Sequence, residues 1–547
     1  MLSEIPDGHL VRCEIVHTEV GAYFRVAEEL GDPANPGADA RAIAAVYDLR
    51  EVFPAEVLAA AEALPNDPRS HDLGGREDLT AQTVVTIDGP HSKDFDDAIS
   101  AERLPHGGFR IGVHVADVAH WVEEGSALDL EAFRRSTSVY LPGKELPMFP
   151  ERISHELCSL LPGRTRLALS VFLDLDAAGK PMARRLAATV IRSARRLTYS
   201  EVKRLVLERE TILDAERVSY GPVLDLVDAA HGAMKVLFAR RIARGSIDFD
   251  LPEGDVELDD DGVLLDILPG ERNLAHRIIE EFMVAANETV AEALLGSGSP
   301  ALYRVNDSPR LDRLIELRDT LAAMGIELAA SDRDLENLPT EALQRALAAV
   351  QGRPEEPLVA VLVLRSLPRA RYTAENGGHY ALASPRYLHF TSPIRRYPDL
   401  VDHRRVRALL QGHAAAEDDL AARLPGIAEE TTAREKRADN AERELLQWKK
   451  VRFLAPRVGE RFAGRITGIQ KFGLFVYLVN ERVDGLIPIV TLGDEPFRWE
   501  PEAHILVGET SGKTFRLADE IVVELQGVDL RHRGLVLRWA GEGESPT

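Results

Sequence analysis

The chain of 547 residues carries 89 acidic against 66 basic side chains, a net charge of −23, with 45% hydrophobic and 28% charged residues. That length excludes one compact core and predicts two to four domains of an ordinary folded protein. The two cysteines, Cys13 and Cys158, exclude a disulfide framework and a structural zinc centre, and the acidic balance taken alone argues against a nucleic-acid partner.

The start, MLSEIPDGHL, lacks a basic segment followed by an apolar one, and the longest apolar run, residues 358–364, is far short of a membrane span. The expectation is a cytoplasmic protein with no membrane contact. Residues 10–16, 22–27 and 42–46 read as strands, the last after a Pro/Gly loop at 31–37. A helix at 55–64 and a polar stretch at 65–77 lead into a new domain. There, residues 83–87 predict a strand ending on Asp88, and 111–118 a strand that turns Ile111, Val113 and Val115 to one face. Residues 255–267 read as a hairpin turning at Asp260, Asp261 and Gly262. Residues 276–295 read as a helix with Gly296 just past its end. Pro425 opens a long helix running to Leu454, and residues 459–540 read as five short strands. The domains expected are a partial barrel and linker at 1–75, a catalytic domain at 76–455 and an OB-fold barrel with a short tail at 456–547. The class is α+β, with a mixed α/β centre.

Four carboxylates fall within ten residues of TIDGPHSKDFDDAIS: Asp88, Asp94, Asp96 and Asp97. Their mutual repulsion is bearable in a folded chain only if cations or protons neutralise them. An all-oxygen set suits Mg²⁺ or Mn²⁺, not zinc, and the spacing lacks the glycine and terminal glutamate of a calcium loop. The bland alternative is a solvated acidic loop; the Gly89–Pro90 turn favours convergence. Two such ions form a general device for cleaving phosphodiesters. The extra charge of the transition state calls for a planar cationic fork, which HFTSPIRRYPDL offers as Arg395 and Arg396 between two prolines.

Nine arginines crowd residues 365–407 against Glu375, Asp399 and Asp402, a local patch able to hold a phosphate chain on an otherwise acidic surface. In the last segment Phe472 and Phe475 lie near Lys471, the makings of a stacking platform for unpaired bases, although barrel aromatics also serve as core.

These motifs, with VHVADVAHWV, TSVYLPGKELPMFPERISHELCSLLPG, HRIIEEFMVAANE and AERELLQWKK, closely resemble the ribonuclease II / ribonuclease R family of processive 3′→5′ exoribonucleases, over nearly the whole chain. The resemblance implies metal binding by Asp88, Asp94, Asp96 and Asp97, with Asp96 most directly tied to cleavage and Arg395 on the scissile phosphate. It implies that Tyr140 packs on the 3′-terminal base, that Phe249 closes the far end of a base stack, and that Tyr199 and Glu280 sense ribose hydroxyls. Arg396 is expected on the RNA, and Glu442 at the border of the pocket. Tyr140 and Phe249 could instead be core aromatics, and Glu442 a surface partner of Lys449 or Arg443. Glu280 and Glu281 cannot share a helix face, so one of them is structural. His379 and His389 read as structural or RNA-contacting.

The family implies Mg²⁺, with Mn²⁺ an alternative, single-stranded RNA as partner and a monomer. The family usually begins with two complete cold-shock barrels; DGHLVRCEIV and AEELGD resemble the last strands of one, so the expectation is the back half of a single barrel. The leading expectation is hydrolysis to nucleoside 5′-monophosphates. A non-catalytic single-strand RNA binder is the runner-up, and a deoxyribonuclease the third reading.

Overall fold

The computed structural model describes residues 5–546 except 19–20, 34, 250–253, 269, 271, 330, 414–417, 494, 502–503, 531 and 542. At the N-terminus Leu10–Thr18 and Gly21–Gly31 form an antiparallel hairpin. The third expected strand is a helix, Pro36–Val46. Its start was readable: Asn35 caps it by accepting from the Gly37 amide, and Pro36 occupies the first turn. This helix docks on a second helix far along the chain, with Asp39 receiving Arg452 Nη2 at 2.8 Å. The expected helix at 55–64 is found as Ala55–Glu62.

The central domain is built on a seven-stranded mixed sheet. Its spatial order is Arg195–Thr198, Val85–Asp88, Asp97–Arg103, Phe109–Ala116, Thr165–Leu175, Pro181–Arg192, Glu77–Asp78. Helices Val223–Ala243 and Leu274–Gly296 cover one face. Ala55–Glu62, Ala127–Arg135 and Tyr397–Leu410 cover the other. Coverage on both sides explains why residues 111–116 are all buried instead of alternating, His114 included. The hairpin Asp255–Leu258 with Leu264–Leu268 forms as expected. Gly296 lies inside its helix, and the glycine that adopts the left-handed conformation after it is Gly298, at φ +70°.

The long helix runs Asp418–Leu454, so Pro425 lies within it and does not open it. Along its length it touches the N-terminal helix, the central domain and the C-terminal barrel. Glu435 pairs with Arg304 at 2.5 Å, Glu444 accepts from the Tyr47 hydroxyl and pairs with Arg533, and Lys450 Nζ reaches the Arg482 carbonyl at 2.8 Å. Beyond it Arg461–Gln470, Gly473–Leu478, Val483–Pro488, Gly534–Trp539 and Glu520–Asp529 close a five-stranded barrel. Three further strands, Phe497–Glu500, Ile505–Gly508 and Thr514–Arg516, form a separate sheet inserted in it, so the segment holds eight strands and not five. Among the described residues no helix is long and apolar enough to cross a membrane.

Candidate active site

The aspartate loop is held by the one apolar residue inside it. Phe95 is buried, its amide donating to Ser159 Oγ at 3.1 Å and its carbonyl accepting from the Leu160 amide at 3.0 Å. With Phe95 anchored, Asp94 and Asp96 are fixed on either side of it. Asp88 ends one strand and Asp97 starts the next. Arg196 donates to the carbonyls of Gly89 and Pro90 at 2.8 and 2.6 Å, fixing the turn between them. Thr198 pairs opposite Asp88 in parallel register, which sets Tyr199 next to the nest, its ring stacked on His276 at 3.7 Å.

Asp96 is 4% exposed. Its Oδ1 accepts from the Ile394 amide at 2.8 Å and its Oδ2 faces Arg395 Nε at 3.7 Å. Asp94 Oδ2 accepts from the Tyr140 hydroxyl at 2.6 Å. Burial, reinforced by Asp97 and Asp94, pushes Asp88 up to about 8. Burial lifts Asp97 to about 6 against the pull of Arg395 and Arg396, and raises Asp96 well above the usual carboxylate range. The Tyr140 and Tyr199 phenols are raised as well, first by burial and then by the neighbouring aspartates. The nest thus holds more negative charge than its arginines balance, the electrostatic condition for a cation.

Two buried oxygens, Asp88 Oδ2 and Asp96 Oδ2, have no hydrogen-bond partner, and an all-carboxylate donor set suits Mg²⁺ or Mn²⁺. The residues present therefore fit such ions. Among the described residues, however, no three acidic, imidazole or thiol groups stand together as a finished chelate. The reason is visible in the contacts: Asp94 leans on Tyr140 and Asp96 on Ile394.

The arginine turn is pinned to the same site. Ser138 N donates to the Arg395 carbonyl at 3.0 Å, and Tyr397 N to the Ser136 carbonyl at 2.9 Å. Arg395 keeps a 42% exposed side chain beside Asp96. Arg396 turns inward, its fork bound to both oxygens of Asp399 at 2.8 and 2.6 Å. That pairing braces the turn and leaves Arg396 poorly placed for the RNA contact expected of it. The basic run as a whole is not a free phosphate track. Arg369 pairs with Asp439, Arg371 with Asp307, Arg404 with Asp129 and Arg407 with Asp117. Acids distant in sequence neutralise it, which local charge counting misses.

Glu442 Oε1 accepts the Tyr140 amide at 2.8 Å, so it borders the nest through Tyr140. Glu281 is buried and takes Arg241 Nε at 2.8 Å, whereas Glu280 keeps a 42% exposed carboxylate. Glu281 is the structural member of the pair. Phe249 is half-buried against the core formed by Leu314, Leu317 and Leu321. Phe472 and Phe475 meet edge to face at 5.9 Å, 47% and 38% exposed on the barrel. His389 is half-buried against Tyr372 and Tyr387, a structural setting. Arg196, Asp399 and Arg272 were missed by sequence reasoning. Only Asp399, three residues after Arg396 on a helix, left a readable signal.

The RNB domain family matches residues 76–412, more than half of the chain, and the S1 RNA binding domain family matches 455–538. A ribonuclease R from Thermotoga maritima is 41% identical over 512 residues, covering 92% of this chain and 71% of that one. The chain belongs to the ribonuclease R family. The ribonuclease R of Mycoplasma genitalium, solved with ribose-methylated single-stranded RNA, superposes with a TM-score of 0.88 at 29% identity, covering 95% of this chain and 80% of that one. A yeast pseudonuclease shares the fold at 21% identity, with a TM-score of 0.71 over 90% of this chain and 61% of that one.

Proposed function

We propose that this protein removes nucleotides processively from the 3′ end of single-stranded RNA, releasing nucleoside 5′-monophosphates by a two-metal-ion mechanism. The observation that carries this reading is the nest of Asp88, Asp94, Asp96 and Asp97, with Asp96 buried and the half-exposed guanidinium of Arg395 beside it. A protein that only binds RNA has no reason to collect carboxylates where phosphate must approach. Asp88, Asp94, Asp96 and Asp97 would hold divalent ions, which would supply an activated water and offset the charge on the departing oxygen.

The chain's own residues do the rest. Arg395 presents a planar fork to the phosphoryl oxygens, a contact whose loss costs on the order of 10²–10³ in rate. Tyr140 caps the terminal base, its backbone fixed by Glu442 and its hydroxyl by Asp94. Tyr199 and Glu280 meet the ribose hydroxyls that distinguish RNA from DNA. Phe249 closes the base stack, and Phe472 and Phe475 offer faces to the incoming strand. Stacking is indifferent to base identity, so degradation is sequence-tolerant.

The test is digestion of 5′-labelled RNA and DNA oligomers with Mg²⁺ and then with EDTA. The reading expects a ladder shortening from the 3′ end for RNA alone, abolished by chelation. Binding without cleavage would establish the non-catalytic alternative, and equal loss of DNA would remove the ribose-sensing roles.

A further inference from the structure

Glu280 and Phe249 belong to different elements, yet one side chain holds both. Arg272 Nε and Nη2 donate to the two carboxylate oxygens of Glu280 at 3.1 and 2.6 Å. Its Nη1 donates to the carbonyl of Phe249 at 2.7 Å, and Nη2 also reaches Asp248 Oδ1 at 3.0 Å. Four of the five N–H groups of a guanidinium are thus engaged, and the side chain is 19% exposed. Such a fork has little left to offer an RNA phosphate.

The arrangement continues into a closed ring. Asp248, the residue before Phe249, also receives Arg277 at 3.2 Å and Arg241 at 3.4 Å, and Arg241 returns to Glu281 at 2.8 Å. Adjacent glutamates on helix Leu274–Gly296 therefore form the two ends of a chain that passes through Arg272, Asp248 and Arg241. Three guanidiniums balance three carboxylates, so no net charge is left to drive the ring apart. Of these residues, only Arg272 touches both Glu280 and Phe249 directly.

We propose that Arg272 is a positioning residue that couples Glu280 to Phe249, so that sugar identity and stack length are read by one rigid unit. The proposal rests on the roles given to those two residues under the proposed function. Lysine cannot replace the arginine, because an ammonium on a flexible stem has three N–H groups and no fixed plane for these four acceptor oxygens.

The test measures two quantities on wild type, Arg272→Met and Arg272→Lys. One is the ratio of cleavage rates for an RNA oligomer and the same oligomer with 2′-deoxyriboses near its 3′ end; the other is the length distribution of the limit product. Both variants are expected to lose about tenfold in the sugar ratio, the rate equivalent of one charge-assisted hydrogen bond, and to spread the limit product over several lengths. An unchanged ratio and a single product length in Arg272→Met, with wild type discriminating, overturns the proposal alone. Full rescue by lysine overturns it too. A wild type that neither discriminates nor stops at a fixed length removes the underlying roles as well. Should Arg272→Met not fold, Phe249→Leu and Glu280→Gln are combined in the wild-type background. Losses in the sugar ratio that fall short of multiplying support the coupling, and losses that multiply overturn it.

Discussion

The hydroxyl of Tyr140 donates to Asp94 Oδ2 at 2.6 Å, joining the residue expected on the terminal base to a carboxylate expected on the metal. The same oxygen cannot serve phenol and cation equally well, so the two compete. Tyr140→Phe keeps the ring and frees Asp94. It is expected to lower the Mg²⁺ concentration for half-maximal cleavage several-fold while leaving the limit product unchanged. Tyr140→Ala also removes the stacking face, and its limit product should lengthen or blur on a sequencing gel. A limit product identical to wild type in the alanine variant would sink the terminal-base contact.

Asp96 is the most enclosed of the four acids and faces Arg395 directly. Asp96→Asn keeps the size and the hydrogen bond from Ile394 but removes the charge. Cleavage should fall by at least about 10²-fold while single-stranded RNA binding, read by filter retention or fluorescence anisotropy, stays within about 3-fold of wild type. Turnover near the wild-type rate would refute the role.

The two adjacent glutamates should separate stability from function. Glu281 is buried against Arg241, so Glu281→Ala leaves that buried guanidinium with only Ser246 and the longer contact to Asp248, and should cost roughly 1–3 kcal/mol in urea unfolding. Glu280 is half-exposed, and Glu280→Gln should cost less than about 1 kcal/mol while lowering the preference for ribose. Equal destabilisation by the two would contradict the assignment.

His114 stands in the middle of the central sheet, between Ser100 Oγ at 3.0 Å and Ser170 Oγ at 2.8 Å, and burial lowers it to about 3. Above pH 6.5 the ring is neutral in folded and unfolded chains alike. As pH falls below 6.5 the unfolded chain takes up a proton that the folded one refuses, so stability is lost from there down to about pH 3. At pH 4.5 the loss amounts to about 2–3 kcal/mol from this residue. His114→Gln should flatten the stability profile by that amount between pH 7 and 4.5, as followed by thermal unfolding; a parallel profile would count against the neutral buried ring.

Much of this was legible where a local rule decides. The aspartate spacing, the hairpin at Gly262 and the closed barrel all follow from short-range pattern. The misreadings share a cause, which is that the outcome was fixed by distant partners. Residues 42–46 carry enough apolar character for a strand, yet Asn35, Pro36 and docking against Arg452 make them helical. Pro425 is a good helix opener, yet seven residues before it already belong to the same helix. The nine arginines read as a phosphate track until Asp117, Asp129, Asp307 and Asp439 are folded against four of them. No spacing rule announces that Glu442 will hold the amide of Tyr140 or that Arg272 will bridge Glu280 and Phe249.

The helix Asp418–Leu454 reaches the aspartate nest through Glu442 and the barrel through Lys450, two turns apart on one rod. Two turns of helix hold the barrel's attachment point at a short distance from the nest. On the proposed function, a strand received by the barrel would then advance past a fixed distance to the nest, one nucleotide for each bond cut.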